Sequence, residues 1–122
     1  MRKVTAKLRQ VTVFSSDHEV SPTSFSSLLA TFLQLADARL NATQKLVLIV
    51  AHGLLKHNDL TVTALADQVS RRSGVPYSTT KWNLHVLKEM GLLKGGDVRC
   101  KGENACLTPE ARMLAEYFEQ SQ

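Results

Sequence analysis

A cluster of polar and aromatic side chains between residues 77 and 88 carries the groups in this chain that are best suited to chemistry. Hydroxyl, ammonium, imidazole and aromatic groups recur there every three or four residues, a spacing that places them on one side of a helix. This side contains Tyr77, Ser78, Lys81, His85 and Lys88, with Thr79 and Trp82 beside them. Hydroxyl groups contact phosphates and base edges, and lysines supply charge and donors. The pattern is therefore typical of a surface that reads a nucleic-acid groove.

The opposite side of the same helix is less polar, and it predicts an inner stripe formed by Thr80, Leu84, Leu87 and Gly91. Trp82 is the only tryptophan of the chain, and the sequence leaves two interpretations of it open. Its ring either packs against the preceding helix or a neighbouring hairpin, or contacts a sugar, a thymine methyl group or a phosphate. Two interpretations of Tyr77 also stay open, because its ring either packs on the turn before it or contacts the ligand.

The charges of the chain are unevenly placed. The net charge is +4, yet residues 71–101 alone carry seven basic and two acidic groups, and residues 1–9 carry four basic groups and no acid. The remaining segments are net acidic. Two basic zones on an otherwise acidic chain favour a polyanionic partner, although solvated helix faces would give the same count.

Other chemistry finds little support in the sequence. His52 and His57 have no ligand partners at metal-binding spacing, and Cys100 and Cys106 are too few for a closed zinc site. The two thiols would sit on opposite sides of a hairpin tip, where a disulfide switch is the alternative to the favoured pair of free thiols. No phosphate loop, nucleophile elbow or paired carboxylates occur, so we expect no enzyme activity and no cofactor.

The length of 122 residues suits one domain with one hydrophobic core. The longest apolar run, residues 46–51, is far shorter than a membrane span, and no apolar signal core follows the basic N-terminus. We therefore expect a cytoplasmic protein without a membrane partner. Residues 1–23 are expected to form a basic arm or short strand and a Ser-rich connector, and residues 24–122 the domain.

Helix caps and breakers predict the elements of that domain. Ser21-Pro22 predicts the start of a helix with an apolar stripe formed by Phe25, Leu28, Leu29, Phe32, Ala36 and Leu40. A capping box at Asn41 to Gln44 and a Thr61 cap predict the starts of two further helices. A break at Ser73 to Pro76 and a left-handed Gly91 predict helix ends. A glycine-bearing hairpin is expected at about 92–108 and a C-terminal helix at about 109–120.

The order of these elements resembles that of a known superfamily. The residues that carry the likeness are Leu65-Ala66, Gly74-Val75, Ser78-Thr79-Thr80, Leu84-x-x-Leu87 and Gly91-Leu92-Leu93. Across residues 42–119 the chain resembles the winged helix-turn-helix superfamily, and within it small prokaryotic transcriptional regulators of archaeal type. The spacing from Ala66 to Thr79 is about four residues longer than the shortest family form. One added helical turn, Ser70 to Ser73, would absorb the difference.

The resemblance implies a mainly α fold with a small β-hairpin wing, flanked by N- and C-terminal helices. It also implies a sequence-specific regulator that binds double-stranded DNA, with the helix at 77–90 in the major groove. The base-proximal residues would be Ser78, Thr79, Lys81, Trp82 and His85. The backbone contacts would come from Arg71, Arg72, Tyr77, Lys88, Lys94, Arg99 and Lys101.

Members of the superfamily usually bind as homodimers, because one helix reads few base pairs. The predicted dimer surfaces are the apolar faces that contain Phe25, Leu28, Leu29, Phe32, Leu114, Tyr117 and Phe118, and the alternative is that these faces close over the core of a single chain. The alternative function is a protein–protein module of a transcription or replication assembly, and a third is RNA binding. A small-molecule effector, the operator and the sign of regulation are not encoded in any recognisable pattern.

Overall fold

The computed structural model describes residues 22–96 and 103–121 and is mainly helical, with a small antiparallel hairpin. The chain divides into two compact units, Met1–Arg39 and Leu40–Gln122, while the boundary expected at residue 23 stays a prediction. The first unit contains helix α1, Pro22–Arg39, which begins at the predicted proline. The predicted Ser21 cap and the predicted arm or strand lie outside the described residues.

The second unit contains four helices and two strands within its described part. They are α2 (Ala42–Leu55), α3 (Val62–Ser73), α4 (Tyr77–Glu89), β1 (Leu93–Lys94), β2 (Cys106–Leu107) and α5 (Pro109–Gln120). Helices α3, α4 and α5 lie within two residues of their predicted bounds, and α2 begins directly after the predicted cap at Asn41. Helix α3 continues to Ser73, as predicted from the spacing between Ala66 and Thr79.

Side-chain caps set the starts of three of these helices. The Asn41 side chain accepts a hydrogen bond from the Gln44 backbone N–H at 2.8 Å, while the Gln44 side chain accepts one from the Asn41 N–H at 3.1 Å, which completes the predicted capping box. The hydroxyls of Thr61 and Thr108 each accept a hydrogen bond from the backbone N–H three residues later, at 3.2 Å. These local bonds explain why the helix starts were readable from the sequence.

Helix α2 lies at the centre of the second unit and packs against α3, α4 and α5. Its Val47, Leu48 and Ala51 are fully buried, as its nearly all-round apolar sequence predicts. Leu65 of α3 and Leu84 of α4 also lie in the core, each at most 1% exposed. The core therefore fixes α3 and α4 against one common helix.

The hairpin is short where it is paired. Leu93 pairs with Leu107 and Lys94 with Cys106, which turns both leucines into the core and the other two side chains outward. The backbone N–H of Ala105 also donates to the Leu60 carbonyl at 2.7 Å, so the second strand segment is tied to the start of α3. Most of the predicted tip, residues 97–102, lies outside the described residues.

Candidate nucleic-acid interface

Helices α3 and α4 are joined by a turn whose polar groups are internally satisfied. Gly74 adopts a left-handed conformation, with φ 79°, and its N–H donates to the Ser70 carbonyl at 3.0 Å. The Ser70 hydroxyl donates to the Val75 carbonyl at 2.6 Å, and the Val75 N–H donates to the Ser73 hydroxyl at 3.2 Å. Pro76 then precedes the first residue of α4. This network fixes the direction in which α4 leaves the turn.

One side of α4 is anchored in the core. Thr80, Leu84 and Leu87 are at most 1% exposed, as the predicted stripe requires. Gly91 has the predicted left-handed conformation, but its place on the inner stripe is corrected because the residue is exposed beyond the end of the helix. The sequence did not predict that Asn83 belongs to the buried side. It is 5% exposed, and its side-chain amide donates to the Thr79 carbonyl at 2.9 Å. The spacing of Asn83 from Thr80 and Leu87 was the signal available in the sequence.

The opposite side of α4 is exposed and carries the predicted reading residues. Tyr77, Ser78, Lys81, Trp82 and His85 line one shallow cavity of about 600 Å³. Thr79 is also exposed but does not line this cavity, and Lys88 is half-buried. The structure therefore brings together four of the five base-proximal candidates, with Tyr77 beside them.

Trp82 is presented outward rather than packed. It is 63% exposed, so most of its surface is not packed against the preceding helix or the described part of the hairpin. Its neighbour is His85, one turn along, with the ring centroids 5.6 Å apart and the planes tilted by 33°. The His85 Nε2 atom lies 3.7 Å from Glu89 Oε1. The indole thus rests on its own helix and leaves most of its surface available to a ligand.

The basic residues near α4 differ in how free they are. Arg71 forms an exposed pair with Asp67, Nε to Oδ2 at 3.2 Å, and such surface pairs are weak enough to be exchanged for a phosphate. Arg72 and Lys94 are exposed, on α3 and β1 respectively. Arg99 and Lys101, predicted as wing contacts, lie outside the described residues.

The predicted dimer surfaces are placed differently from one another. Leu114 and Phe118 are 1% and 3% exposed in the core, where α5 packs on α2, so their assignment to a dimer surface is corrected. The Lys45 Nζ atom lies 5.2 Å from the centre of the Phe118 ring and covers it further. Tyr117 is half-buried. On α1, Leu28 is 69% exposed, and the assignment of Phe25, Leu29 and Phe32 to a dimer surface stays a prediction.

A second cavity, of about 410 Å³, lies in the second unit between the end of α2, the segment 104–107 and α5. Its wall includes His52, which is 4% exposed and has no hydrogen-bond partner at Nδ1 within the described part of the chain. Burial lowers the pKa of His52, and the nearby Lys56 ammonium lowers it further. His52 is therefore a buried, neutral histidine. Cys106 lines the same cavity as an exposed free thiol, whereas Cys100 lies outside the described residues.

No family model, curated protein or solved structure matches this chain. None of the described helices is long and apolar enough to cross a membrane. Within residues 22–96 and 103–121, no group of three or more His, Cys, Asp or Glu side chains is placed to hold a metal ion. The exposed side of α4, which the preceding turn orients, is the candidate interface.

Proposed function

We propose that this chain is a sequence-specific, double-stranded-DNA-binding transcriptional regulator with a winged helix-turn-helix fold. Helix α4 enters the major groove, and the hairpin lies along the flanking backbone as the wing. The observation that carries the proposal is the two-sided character of α4. One side is buried through Thr80 and Leu84, while Lys81, Trp82 and His85 project from the other side into solvent.

The geometry of the α3–turn–α4 segment supports this function. A recognition helix must be held rigidly by its scaffold while its exposed side chains reach base edges, and these side chains cluster toward its N-terminal part. The hydrogen bonds around Gly74 and the buried side of α4 provide the rigid support. The five cavity-lining residues lie in the first nine positions of α4, from Tyr77 to His85.

Charge supports the same partner. Phosphate contacts give a DNA-binding protein most of its sequence-independent affinity. Six basic residues surround the exposed side of α4 in sequence and are the proposed phosphate contacts, namely Arg71, Arg72, Lys88, Lys94, Arg99 and Lys101. We further propose a homodimer, because a single α4 reads too few base pairs for useful specificity.

A salt titration tests the proposal. Fluorescence anisotropy with a fluorescein-labelled random-sequence duplex should give an affinity whose logarithm falls with log salt at a slope of about −5, which corresponds to roughly six neutralised phosphates. Arg72→Ala should reduce the steepness by about 1. Lys56→Ala is the matched control, because it removes an exposed lysine outside α3, α4 and the hairpin. Absence of binding at about 50 mM salt would refute the proposal.

Sequence reading is tested separately from backbone binding. Lys81→Ala or Thr79→Ala should change the preferred sequence recovered from a random duplex library, whereas Lys94→Ala should weaken all duplexes alike. If all three variants weakened every sequence by the same factor, α4 would not be the reading element.

A protein–protein module is the second candidate, and one observation favours it. Tyr77 and Trp82 are 41% and 63% exposed, and exposed aromatic residues are common anchors of protein interfaces. The titration separates the two candidates, since a protein that binds no duplex at about 50 mM salt while keeping this aromatic surface would fit the second. The basic balance of residues 71–101 is the reason for placing DNA first.

A further inference from the structure

The exposed side of α4 lacks most of the side chains that identify purines. Guanine is read by arginine or lysine, and adenine by a bidentate asparagine or glutamine. Helix α4 contains no arginine or glutamine. Its single amide, Asn83, is 5% exposed and already donates to the Thr79 carbonyl. Direct amide recognition of adenine is therefore not available from this helix.

The same side of α4 offers an unusual amount of aromatic surface instead. Trp82 and Tyr77 are both exposed, and they line one cavity with Lys81, Ser78 and His85. The contact with the His85 ring restrains the indole on the helix surface. A base edge that enters this cavity meets an apolar wall next to an ammonium group.

Only one standard base matches that pair of features in the major groove. Thymine presents a methyl group at C5 beside an acceptor oxygen, O4, whereas the other three bases carry no methyl group on this edge. An exposed aromatic ring can cover the methyl group, while the ammonium group of a neighbouring lysine donates to O4. In α4 the ring belongs to Trp82 and the ammonium group to Lys81, both on the wall of the same cavity.

We propose that Trp82 determines specificity by contact with the C5-methyl group of thymine, with Lys81 donating to O4 of the same base and His85 positioning the indole. This inference rests on the proposed function, because it names what the DNA-binding surface reads. It makes the preferred site depend on a group that uracil lacks. Deoxyuridine keeps O4 and the base pair, so it isolates the methyl group.

The experiment uses duplex sites selected by the full chain from a random library. Each thymine of the best site is replaced in turn by deoxyuridine, and the dissociation constant is measured by anisotropy. At one or two positions the wild type should bind about fourfold more weakly, the factor expected for one buried methyl group. With Trp82→Ala, whose far-UV circular dichroism is compared with the wild type, the same replacement should change affinity by less than about 1.5-fold.

The possible outcomes distinguish a failure of the thymine contact from a failure of DNA binding itself. If wild type binds thymine and deoxyuridine sites equally at every position, the methyl contact is overturned, while DNA binding stands. If Trp82→Ala still loses about fourfold on deoxyuridine, another residue contacts the methyl group and the role of Trp82 is overturned. If no duplex is bound at all, the proposed function fails first.

Discussion

Truncation of Trp82 and of Leu84 provides a direct test of the two-sided character of α4. The two residues are separated by one position on the same helix, yet Trp82 is 63% exposed and Leu84 only 1%. Both can be replaced by alanine, the best helix former, so helix propensity does not oppose either change. The difference between the two losses in the free energy of unfolding therefore reports how each side chain is packed.

The expected magnitudes follow from burial. Leu84→Ala removes a fully buried side chain and should cost about 3–5 kcal/mol. Trp82→Ala removes a ring with roughly a third of its surface covered, about 80–90 Å² of a large aromatic residue, worth at most about 2 kcal/mol. Part of that surface is also covered in the unfolded chain, and alanine is favoured in the helix by about 0.5 kcal/mol. We expect a net cost of about 1 kcal/mol.

Urea unfolding followed by far-UV circular dichroism measures both losses, because Trp82 is the only tryptophan and its variant has no indole fluorescence. In the wild type, Trp82 fluorescence should be readily quenched by acrylamide and should change when duplex DNA is added. A loss of about 3 kcal/mol or more for Trp82→Ala would refute the exposed placement, and with it the reading surface. A loss below about 1 kcal/mol for Leu84→Ala would refute the buried placement of the opposite side.

Three further predictions concern the scaffold. Burial lowers the pKa of His52 from 6.5, so the unfolded chain binds a proton at His52 more readily than the folded chain does. The free energy of unfolding should therefore be highest above pH 6.5 and fall as the pH drops below 6.5. If urea titrations of His52→Gln showed the same fall, His52 would not be its cause. At Gly95, with φ 105°, an added Cβ would lie 2.5 Å from the Asn104 carbonyl oxygen. Gly95→Ala should therefore lower the free energy of unfolding by at least about 1 kcal/mol more than Gly74→Ala, because at Gly74 φ is 79° and an added Cβ would meet no atom within 4 Å. Equal losses would show that the backbone at the base of the hairpin shifts to accept the added methyl group. Asn41→Ala should lower stability by about 1 kcal/mol, seen as a fall in Tm of about 4 °C, whereas Asn41→Gly should lose only a few tenths of a kcal/mol because glycine is tolerated at the cap; an Asn41→Ala variant as stable as the wild type would mean that the capping bonds contribute nothing.

Predictions that depended on local chemistry were confirmed by the structure. The predicted caps at Asn41 and Thr61 form with residues three positions later in the chain. The turn at Gly74 depends on one left-handed residue and the proline that follows it two positions later. Such features are encoded by short stretches of sequence, because the bonds that form them join residues two to five positions apart.

Predictions that depended on which apolar face is covered were less successful. Leu114 and Phe118 form a helical stripe that would suit either a dimer surface or the core, and the structure places them in the core. His52 is buried, and its Nδ1 atom has no hydrogen-bond partner within the described residues, although the spacing of ligand residues in the sequence gave it no role. In each case the outcome depends on residues far away along the chain.

Cap residues and helical spacing were enough to predict where most helices start, which side of α4 is apolar and where the basic residues concentrate. Packing was needed to show that Trp82 faces outward, that Asn83 is buried and that Leu114 belongs to the core. The difference comes from the range of the interactions. Caps and helical periodicity act within one or two turns, whereas burial is a property of contacts between segments that the chain must first bring together.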